Sequence, residues 1–401
     1  MDWVTIHVAS TARGRKNGNT TDSVLRKEPF LLMDVICSWL DLWRQGSAGL
    51  IFNRHRERRR KVFNTADFLM KLIGTRSVSG NTGEALLLVE KELSALDVKT
   101  RLSVKGSLLA TIPGRESEGV VFAAHLDTLG AMVSGIQNDG TLRYSTVGGL
   151  TPGSIEGEYC RVETFRGDLL TGTVLFDRTS VHAYGREKAS AKREHEDMYV
   201  RLDYDVNSVG DVQDLGVSVG NYIHFDPRPV LTDSGYIKGR HLDDKAGVAV
   251  LVAAAGNLAG GKAKPRRTVH FLFTSHEEVG HGGAGWFPPG VVELVAVDMG
   301  VIGKNQTGSE KKVSICMADS NGPYNYDLTR SLIRIAELNS LPHVVDTYRY
   351  YGSDAAAALR MGLDVRHALI GPGVDSSHAV ERTHLEGIRA ATDLVGFYTL
   401  E

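Results

Sequence analysis

Short apolar runs and amphipathic segments alternate through most of the chain. Four apolar runs have the length of buried strands: GVVFAA at 119–124, TVHFLF at 268–273, LVAV at 294–297 and VRHALI at 365–370. Apolar residues recur at helical spacing in four other segments: 245–259, 326–339, 354–361 and 384–398. Strands alternating with helices are typical of a mostly parallel sheet covered by helices on both faces, so the pattern predicts an α/β fold.

The alternation is interrupted in the middle of the chain. From about residue 133 to residue 236, short β-type pieces follow one another, separated by Gly, Asp and Pro. This pattern predicts an all-β domain inserted into the α/β domain. The α/β domain then consists of two parts, residues 61–132 and 237–401. In the first part, Asn64 and Thr82 are candidate N-caps of two helices, ADFLMKLIG and EALLLVEKELSAL.

Residues 1–60 differ from the rest and are interpreted as an N-terminal extension that need not be ordered. The segment at 30–43, FLLMDVICSWLDLW, can form an amphipathic helix, whereas RHRERRRK at 54–61 is a basic run. A solvated linker is the ordinary interpretation of such a run. A nucleic-acid or targeting signal is the alternative.

Composition and charge narrow the choice of partner. The 46 Lys and Arg residues nearly balance the 48 Asp and Glu residues, so no overall field attracts nucleic acid or an anionic membrane. No apolar run approaches the ~18 residues of a membrane span. The three cysteines are far apart and form no CxxC pair, which argues against a disulfide framework and predicts a reducing cytoplasm. A small molecule or a peptide is the expected partner.

Polar side chains able to bind metal follow the predicted strands. The candidates are His125 and Asp127 after GVVFAA, Asp243 in GRHLDDKAG, Glu277 and Glu278 in TSHEEVGHGG, Asp298 after LVAV, and His378 after GPGVDSS. An open α/β sheet binds its ligands at the ends of its strands, so these groups are expected to meet. Mixed histidine and carboxylate ligands suit zinc, cobalt or manganese, and a carboxylate can bridge two ions.

Each short motif also has an ordinary structural interpretation. A lone histidine is usually a hydrogen-bonded structural residue, and two adjacent glutamates can form a solvated turn. Asp244 is favoured as a helix cap, because the positive end of the helix dipole attracts a carboxylate. His276 and His281 are interpreted as supporting loop residues, and His241 as a residue lining the cleft. The aromatic residues of YRYY at 348–351 can line a pocket or pack the loop.

The order of the motifs resembles that of the cocatalytic metallopeptidases, specifically metallopeptidase family forty-two, the glutamyl and tetrahedral (TET) aminopeptidases. The shared order is HxD, a long insertion, LDDKAG, EEVG, a strand ending in Asp, and a late His, over roughly residues 64–400. The segments AHLDTLGAMV, GRHLDDKAG, YRYYGSD and GVDSSHAVERTH resemble a bacterial branch associated with gene clusters for the osmoprotectant N-acetylglutaminylglutamine amide.

The resemblance implies a ligand set for two metal ions. His125 and Asp298 would hold one ion. Glu278 and His378 would hold the other, and Asp243 would bridge both. The inserted β domain corresponds to the dimerisation and lid domain of the family, which implies a homo-oligomer between a dimer and a dodecamer.

The same resemblance implies that Glu277 is the general base and that Asp127 orients His125. This agrees with elementary chemistry, because two ions can acidify a water and a carboxylate that is not a ligand can take its proton. We therefore predict a cytoplasmic dimetal aminopeptidase acting on short peptides, with zinc as the first choice of metal and cobalt or manganese as others.

Two alternatives stay open. An amidase, deacetylase or carboxypeptidase of the same clan would use the same metals on a different bond. The branch resemblance favours it, since a capped dipeptide has no free amine. The other alternative is a metal-stabilised assembly without enzymatic activity, which is the weakest because the full set of ligands and a base is present.

Overall fold

The computed structural model describes residues 63–401, so the predictions for the extension at 1–60 lie outside the described residues. Its helices are α1 (Thr65–Ile73), α2 (Gly83–Ala95), α3 (Pro152–Ile155), α4 (Val181–Ala189), α5 (Val209–Asp214), α6 (Leu242–Gly260), α7 (Tyr326–Leu338), α8 (Asp354–Arg360) and α9 (Leu385–Leu400). Its strands are β1 (Thr100–Leu102), β2 (Leu108–Ile112), β3 (Glu116–His125), β4 (Gly130–Ile136), β5 (Leu142–Val147), β6 (Tyr159–Glu163), β7 (Leu169–Phe176), β8 (Met198–Leu202), β9 (Tyr222–Phe225), β10 (Val230–Leu231), β11 (Tyr236–Gly239), β12 (Arg267–Thr274), β13 (Val291–Val297), β14 (Gly300–Ile302), β15 (Val313–Asp319), β16 (Gly322–Pro323), β17 (His343–Thr347), β18 (Arg366–Asp375) and β19 (Glu381–His384).

The larger sheet has 13 strands, and its main path runs β1, β2, β12, β3, β13, β18, β19, β11, β10. The central strands β12, β3, β13 and β18 pair in parallel, and so do β15 and β17. The pairs β2–β12, β15–β18, β18–β19 and β11–β19 are antiparallel. The predicted α/β class is confirmed, and the sheet that was predicted to be mostly parallel is mixed. Parallel pairing is concentrated at the centre, where the predicted strands lie.

Strand β3 shows why its sequence is a continuous apolar run. Val120 and Phe122 belong to the core under α6 and α9, whereas Val121 and Ala123 belong to the core under α8. Side chains alternate between the two faces of a strand, so a strand covered on both faces must be apolar throughout. Phe122 also stacks on Phe271 of β12, with ring centroids 6.1 Å apart.

Helix α6 is almost completely buried against the sheet, α1, α2 and α9. A helix surrounded in this way is apolar on all sides, which explains the run AGVAVLVAAAG. It starts at Leu242, three residues before the predicted start at residue 245. Helix α1 has the predicted cap, since Asn64 Oδ1 accepts a hydrogen bond from the backbone N–H of Asp67 at 3.2 Å. The side chain of Thr82 makes no such bond.

The inserted all-β region is a closed barrel with strand order β4, β5, β8, β7, β6, β9. Its own core includes Val133, Val162, Val200 and Ile223. The barrel strands run from Gly130 to Phe225, whereas β10 and β11 join the larger sheet. The exact domain boundaries at residues 133 and 236 stay predictions.

Helix α4, like the shorter helices α3 and α5, falls in the region that the sequence pattern predicted to be all β. Most of its side chains are exposed, so it lacks the apolar periodicity by which buried helices are recognised. Among residues 63–401, none of the helices combines the length and apolar character needed to cross a membrane.

Candidate metal centre

The ends of the central strands bring the candidate residues together. His125 is the last residue of β3 and pairs with Thr274, the last residue of β12. Strand β13 ends at Val297 opposite Ile370 of β18, and Asp298 follows directly. Because these parallel strands run in register, the segments that follow them meet at one end of the sheet.

His125 is buried, and its two ring nitrogens face different partners. Nδ1 lies 3.0 Å from the backbone carbonyl oxygen of Asp127, which can accept the Nδ1 proton. Nε2 lies 3.0 Å from Asp243 Oδ1 and 3.9 Å from carboxylate oxygens of Glu277 and Asp298. In this tautomer the Nε2 lone pair points at carboxylates, an arrangement that calls for a cation between them.

Asp243 faces both halves of the site. Its Oδ1 is the oxygen next to His125. Its Oδ2 accepts a hydrogen bond from the Ser377 hydroxyl at 2.8 Å and lies 3.6 Å from Nε2 of His378. A carboxylate that directs one oxygen to each of two histidines has the geometry of a bridging ligand.

His378 and Glu278 form the second half of the site. Nε2 of His378 lies 3.7 Å from Glu278 Oε2, and Nδ1 lies 2.8 Å from the backbone carbonyl oxygen of Gly149. The side chain of His378 is 40% exposed, whereas that of His125 is 2% exposed. The site therefore opens to solvent on the side of His378.

The pKa values indicate a site that lacks positive charge. Burial raises the pKa of Glu277 and Glu278 well above the usual range, and burial together with the charge of Asp243 raises the pKa of Asp298 to about 7. Burial opposes protonation of His125, but the hydrogen bond to Asp243 and nearby carboxylates raise the His125 pKa well above its usual range. Divalent cations would replace these protons, so the residues present fit metal ions.

Two sets of donor atoms among the described residues are close enough to hold an ion. They are His125, Asp243 and Glu278, and His125, Asp244 and Asp298. All five predicted ligands line this one site, but the division of ligands between two ions stays a prediction.

Asp244 borders the site beside His125 and Asp298, and it also stabilises the elements around the site. Its Oδ1 accepts a hydrogen bond from the backbone N–H of Gly247 at 3.0 Å, which caps helix α6. Its Oδ2 accepts from the backbone N–H of His125 at 3.2 Å. Because both carboxylate oxygens already have backbone donors, we interpret Asp244 as the predicted helix cap, which also fixes the end of β3.

Asp127 is fully buried and fixes the loop that carries the two glutamates. Its carboxylate accepts hydrogen bonds from the backbone N–H groups of Glu277 at 3.0 Å and Glu278 at 3.2 Å, and from the Ser79 hydroxyl. The same carboxylate is 3.7 Å from Nδ1 of His125. The acceptor for His125 is thus the backbone of Asp127, while the side chain orients the glutamates. Its part in catalysis stays a prediction.

Glu381 is a supporting residue that sequence reasoning missed. One carboxylate oxygen accepts hydrogen bonds from the backbone N–H groups of Leu242 at 2.5 Å and Asp243 at 3.2 Å. The other accepts from the backbone N–H of His378 at 3.2 Å. Glu381 therefore fixes the backbones of two proposed ligands at once. Its only sequence signal was its place in the segment GVDSSHAVERTH.

The remaining singled-out residues lie around the site. Nδ1 of His276 is 2.9 Å from the Ser275 hydroxyl, and its ring stacks on His281 with centroids 5.0 Å apart. Neither histidine belongs to the donor sets found among the described residues. Tyr348 is buried and Tyr351 donates a hydrogen bond to the carbonyl of Met299 at 2.9 Å. These two tyrosines pack the loop, and the Tyr351 hydroxyl also interacts with Asp298.

A mixed α/β sheet, an inserted barrel and a histidine–carboxylate centre at the strand ends define the class of the metal-dependent exopeptidases. A sequence model of the M42 glutamyl aminopeptidases matches residues 106–394. This match covers most of the chain, so the protein belongs to the M42 glutamyl aminopeptidase family. It is therefore a hydrolase acting on peptide bonds, in a family whose members depend on two metal ions.

Individual relatives agree with this assignment. The protein YhfE of Bacillus subtilis (strain 168) is 45% identical over 338 residues, which is 84% of this chain and 97% of YhfE. A TET aminopeptidase from the archaeon Thaumarchaeota archaeon SCGC AB-539-E09 superposes with a TM-score of 0.76 at 19% identity, covering 84% and 97% of the two chains. The TET1 peptidase of Pyrococcus horikoshii superposes with a TM-score of 0.74 at 23% identity, covering 84% and 100%.

Proposed function

We propose that this protein is a dimetal aminopeptidase that removes N-terminal residues from short peptides. The position of Glu277 carries this proposal. Its Oε2 lies 3.9 Å from Nε2 of His125, and Asp127 fixes its backbone. Glu277 thus reaches the centre on the side of His125, and it is not one of the five proposed ligands. A carboxylate in this position suits a general base.

The proposed ligands are His125 and Asp298 for one ion, Glu278 and His378 for the other, and Asp243 for both. When bound, such ions acidify a water and polarise the scissile carbonyl. Zinc is the first choice, and cobalt and manganese share the same ligand preference.

One residue of the chain, Glu277, then carries out both proton transfers. Glu277 Oε2 accepts the proton of the attacking water and returns it to the leaving amine nitrogen. Glu277 faces His125, whereas Glu278 faces His378. The two adjacent side chains therefore diverge, and Asp127 maintains this arrangement through their backbones.

A neighbouring cavity supports a preference for an acidic N-terminal residue. It has a volume of about 330 Å³ and lies beside the loop that follows Glu277. Gly282 lines the cavity and packs closely against the backbone of Glu277, since a Cβ on Gly282 would lie 2.8 Å from the backbone nitrogen of Glu277. The charged residues that line the cavity are Arg101 and Lys105. Lys105 Nζ donates a hydrogen bond to the backbone carbonyl of His281, and the Arg101 guanidinium lies 5.1 Å from the centroid of the Trp286 ring. Neither cation forms an ion pair with a carboxylate of another described residue. We propose that they bind a side-chain carboxylate of the substrate.

Lys105→Met is expected to reduce the preference for N-terminal Glu over N-terminal Gln by about 10-fold, because a hydrogen bond to a charged group is worth roughly 1.5 kcal/mol or more. The measurement is kcat/KM for matched Glu and Gln substrates. Lys99→Met removes a nearby exposed lysine outside the cavity and should leave the ratio unchanged. An unchanged ratio in Lys105→Met would reject the cavity as the acidic subsite.

The test of the proposed function is a substrate panel. Metal-free protein, reconstituted with zinc, cobalt or manganese, is expected to release the first residue of free dipeptides and aminoacyl-anilides. It should leave N-acetylated dipeptides intact. Cleavage of the acetylated substrates alone would instead support the amidase or deacetylase alternative, which has the same ligands. Absence of turnover with all three metals would favour the non-enzymatic assembly.

We also propose a homo-oligomer in the cytoplasm. The TET1 peptidase of Pyrococcus horikoshii can assemble into a tetrahedron or an octahedral shell, and the inserted barrel of this chain is the corresponding candidate for dimerisation. Cys160 and Cys316 are buried free thiols, which agrees with a reducing compartment.

A further inference from the structure

The loop that carries His378, residues 376–381, rests on the inserted barrel. Ser376 has φ 60° and His378 has φ 66°, a left-handed conformation that residues other than glycine adopt only when their surroundings hold them there. The carbonyl of Gly149, just after barrel strand β5, is 2.8 Å from Nδ1 of His378. Accepting the Nδ1 proton directs the unprotonated Nε2 to Glu278 and Asp243.

Arg240 joins this loop to the barrel. Its side chain is only 3% exposed. One Nη donates to the carbonyl of Ala379, the residue after His378, at 3.3 Å. The other Nη donates to the carbonyl of Ser154 and lies 3.0 Å from Glu158 Oε1, both in the barrel region. A guanidinium is costly to bury, but its planar fork can hold several acceptors at fixed angles.

We propose that Arg240 is a positioning residue that fixes His378 for the ion shared with Glu278. The barrel thereby controls the occupancy of one of the two metal positions. This inference rests on the proposed function for the identity of the ligands. Arg240 has no hydrogen bond or ion pair with His125 or Asp298 among the described residues, so the other position should be insensitive to it.

The test is a zinc titration of metal-free protein, repeated with cobalt to follow its absorption spectrum. The native protein is expected to bind two ions. Arg240→Met should keep one with native affinity and bind the other about 10- to 100-fold more weakly, the usual effect of losing a group that orients a ligand. Arg240→Lys keeps the charge but lacks the fork, so it should restore only part of the affinity.

Arg228→Met is the matched control. Arg228 also pairs with Glu158, but its side chain is 50% exposed and, among the described residues, forms no hydrogen bond or ion pair with residues 376–381. This variant should bind both ions as the native protein does. Glu158→Gln provides a second test from the barrel side, in case Arg240→Met does not fold, and should weaken the same ion selectively.

The inference would be overturned if Arg240→Met bound both ions with equally reduced affinity, or if it bound both with native affinity. A merely structural role would lower the thermal midpoint without distinguishing the two positions. If the native protein itself fails to bind two ions, the proposed dimetal function fails instead. The titration therefore separates the two failures.

Discussion

Glu277→Gln is expected to lower kcat/KM by about 10²- to 10⁴-fold, the usual contribution of a general base, while both metal ions stay bound. Gln has nearly the same size and keeps the backbone N–H that donates to Asp127 at 3.0 Å. It lacks the basic oxygen that would take the proton of the attacking water. The measurement combines peptide hydrolysis with metal content by mass spectrometry.

Glu278→Gln is the matched control for this variant, because the two side chains are adjacent and only 18% and 5% exposed. Glu278 faces His378, so its replacement should first reduce metal content and then activity. The general-base assignment is wrong if Glu277→Gln keeps native activity. It is equally wrong if this variant loses metal, since Glu277 would then be a ligand.

The end of each central strand was predictable from the sequence. Apolar runs such as GVVFAA and TVHFLF stop abruptly at polar residues, and a parallel sheet places such ends side by side. His125 and Asp298 could therefore be placed from pattern alone. Asp243 and His378 follow no such run directly. They were candidates because of the motifs GRHLDDKAG and GPGVDSS, but their roles as ligands of particular ions depended on the family resemblance.

The supporting contacts could not be predicted, for a physical reason. His378 is oriented by the carbonyl of Gly149, 229 positions away, and a backbone carbonyl has no residue-type signal. Glu381 acts entirely on backbone N–H groups, including that of Leu242, 139 positions away. Asp127 was identified, but its side chain proved to hold the glutamate loop. Only the folded chain shows which polar group meets which backbone.

These supporting contacts make the centre depend on two separate parts of the chain. His125 is fixed by the α/β domain alone, through Asp127 and Asp244. His378 depends on the inserted barrel as well, through Gly149. Asp243 connects these halves, because it directs one oxygen toward each histidine. Its loss should therefore weaken the binding of both ions.

Asp243→Asn is expected to weaken binding of both ions and to reduce kcat/KM by more than about 10²-fold, beyond the effect usual for a residue that only orients a ligand. Asp243 Oδ1 is 3.0 Å from Nε2 of His125, and Oδ2 is 3.6 Å from Nε2 of His378. An amide offers one neutral oxygen and places its NH₂ group toward one of the two ions. Titration of the metal-free variant with zinc measures both affinities.

Ser377→Ala is the graded control, because Ser377 donates a 2.8 Å hydrogen bond to Asp243 Oδ2 without facing the first half of the site. It should reduce the zinc affinity of the position beside His378 by about 10-fold and leave the zinc affinity of the position beside His125 unchanged. Loss of a single ion in Asp243→Asn would show that Asp243 is a terminal ligand. The two ions would then need another bridge, and the shared-ligand arrangement proposed for this centre would be incorrect.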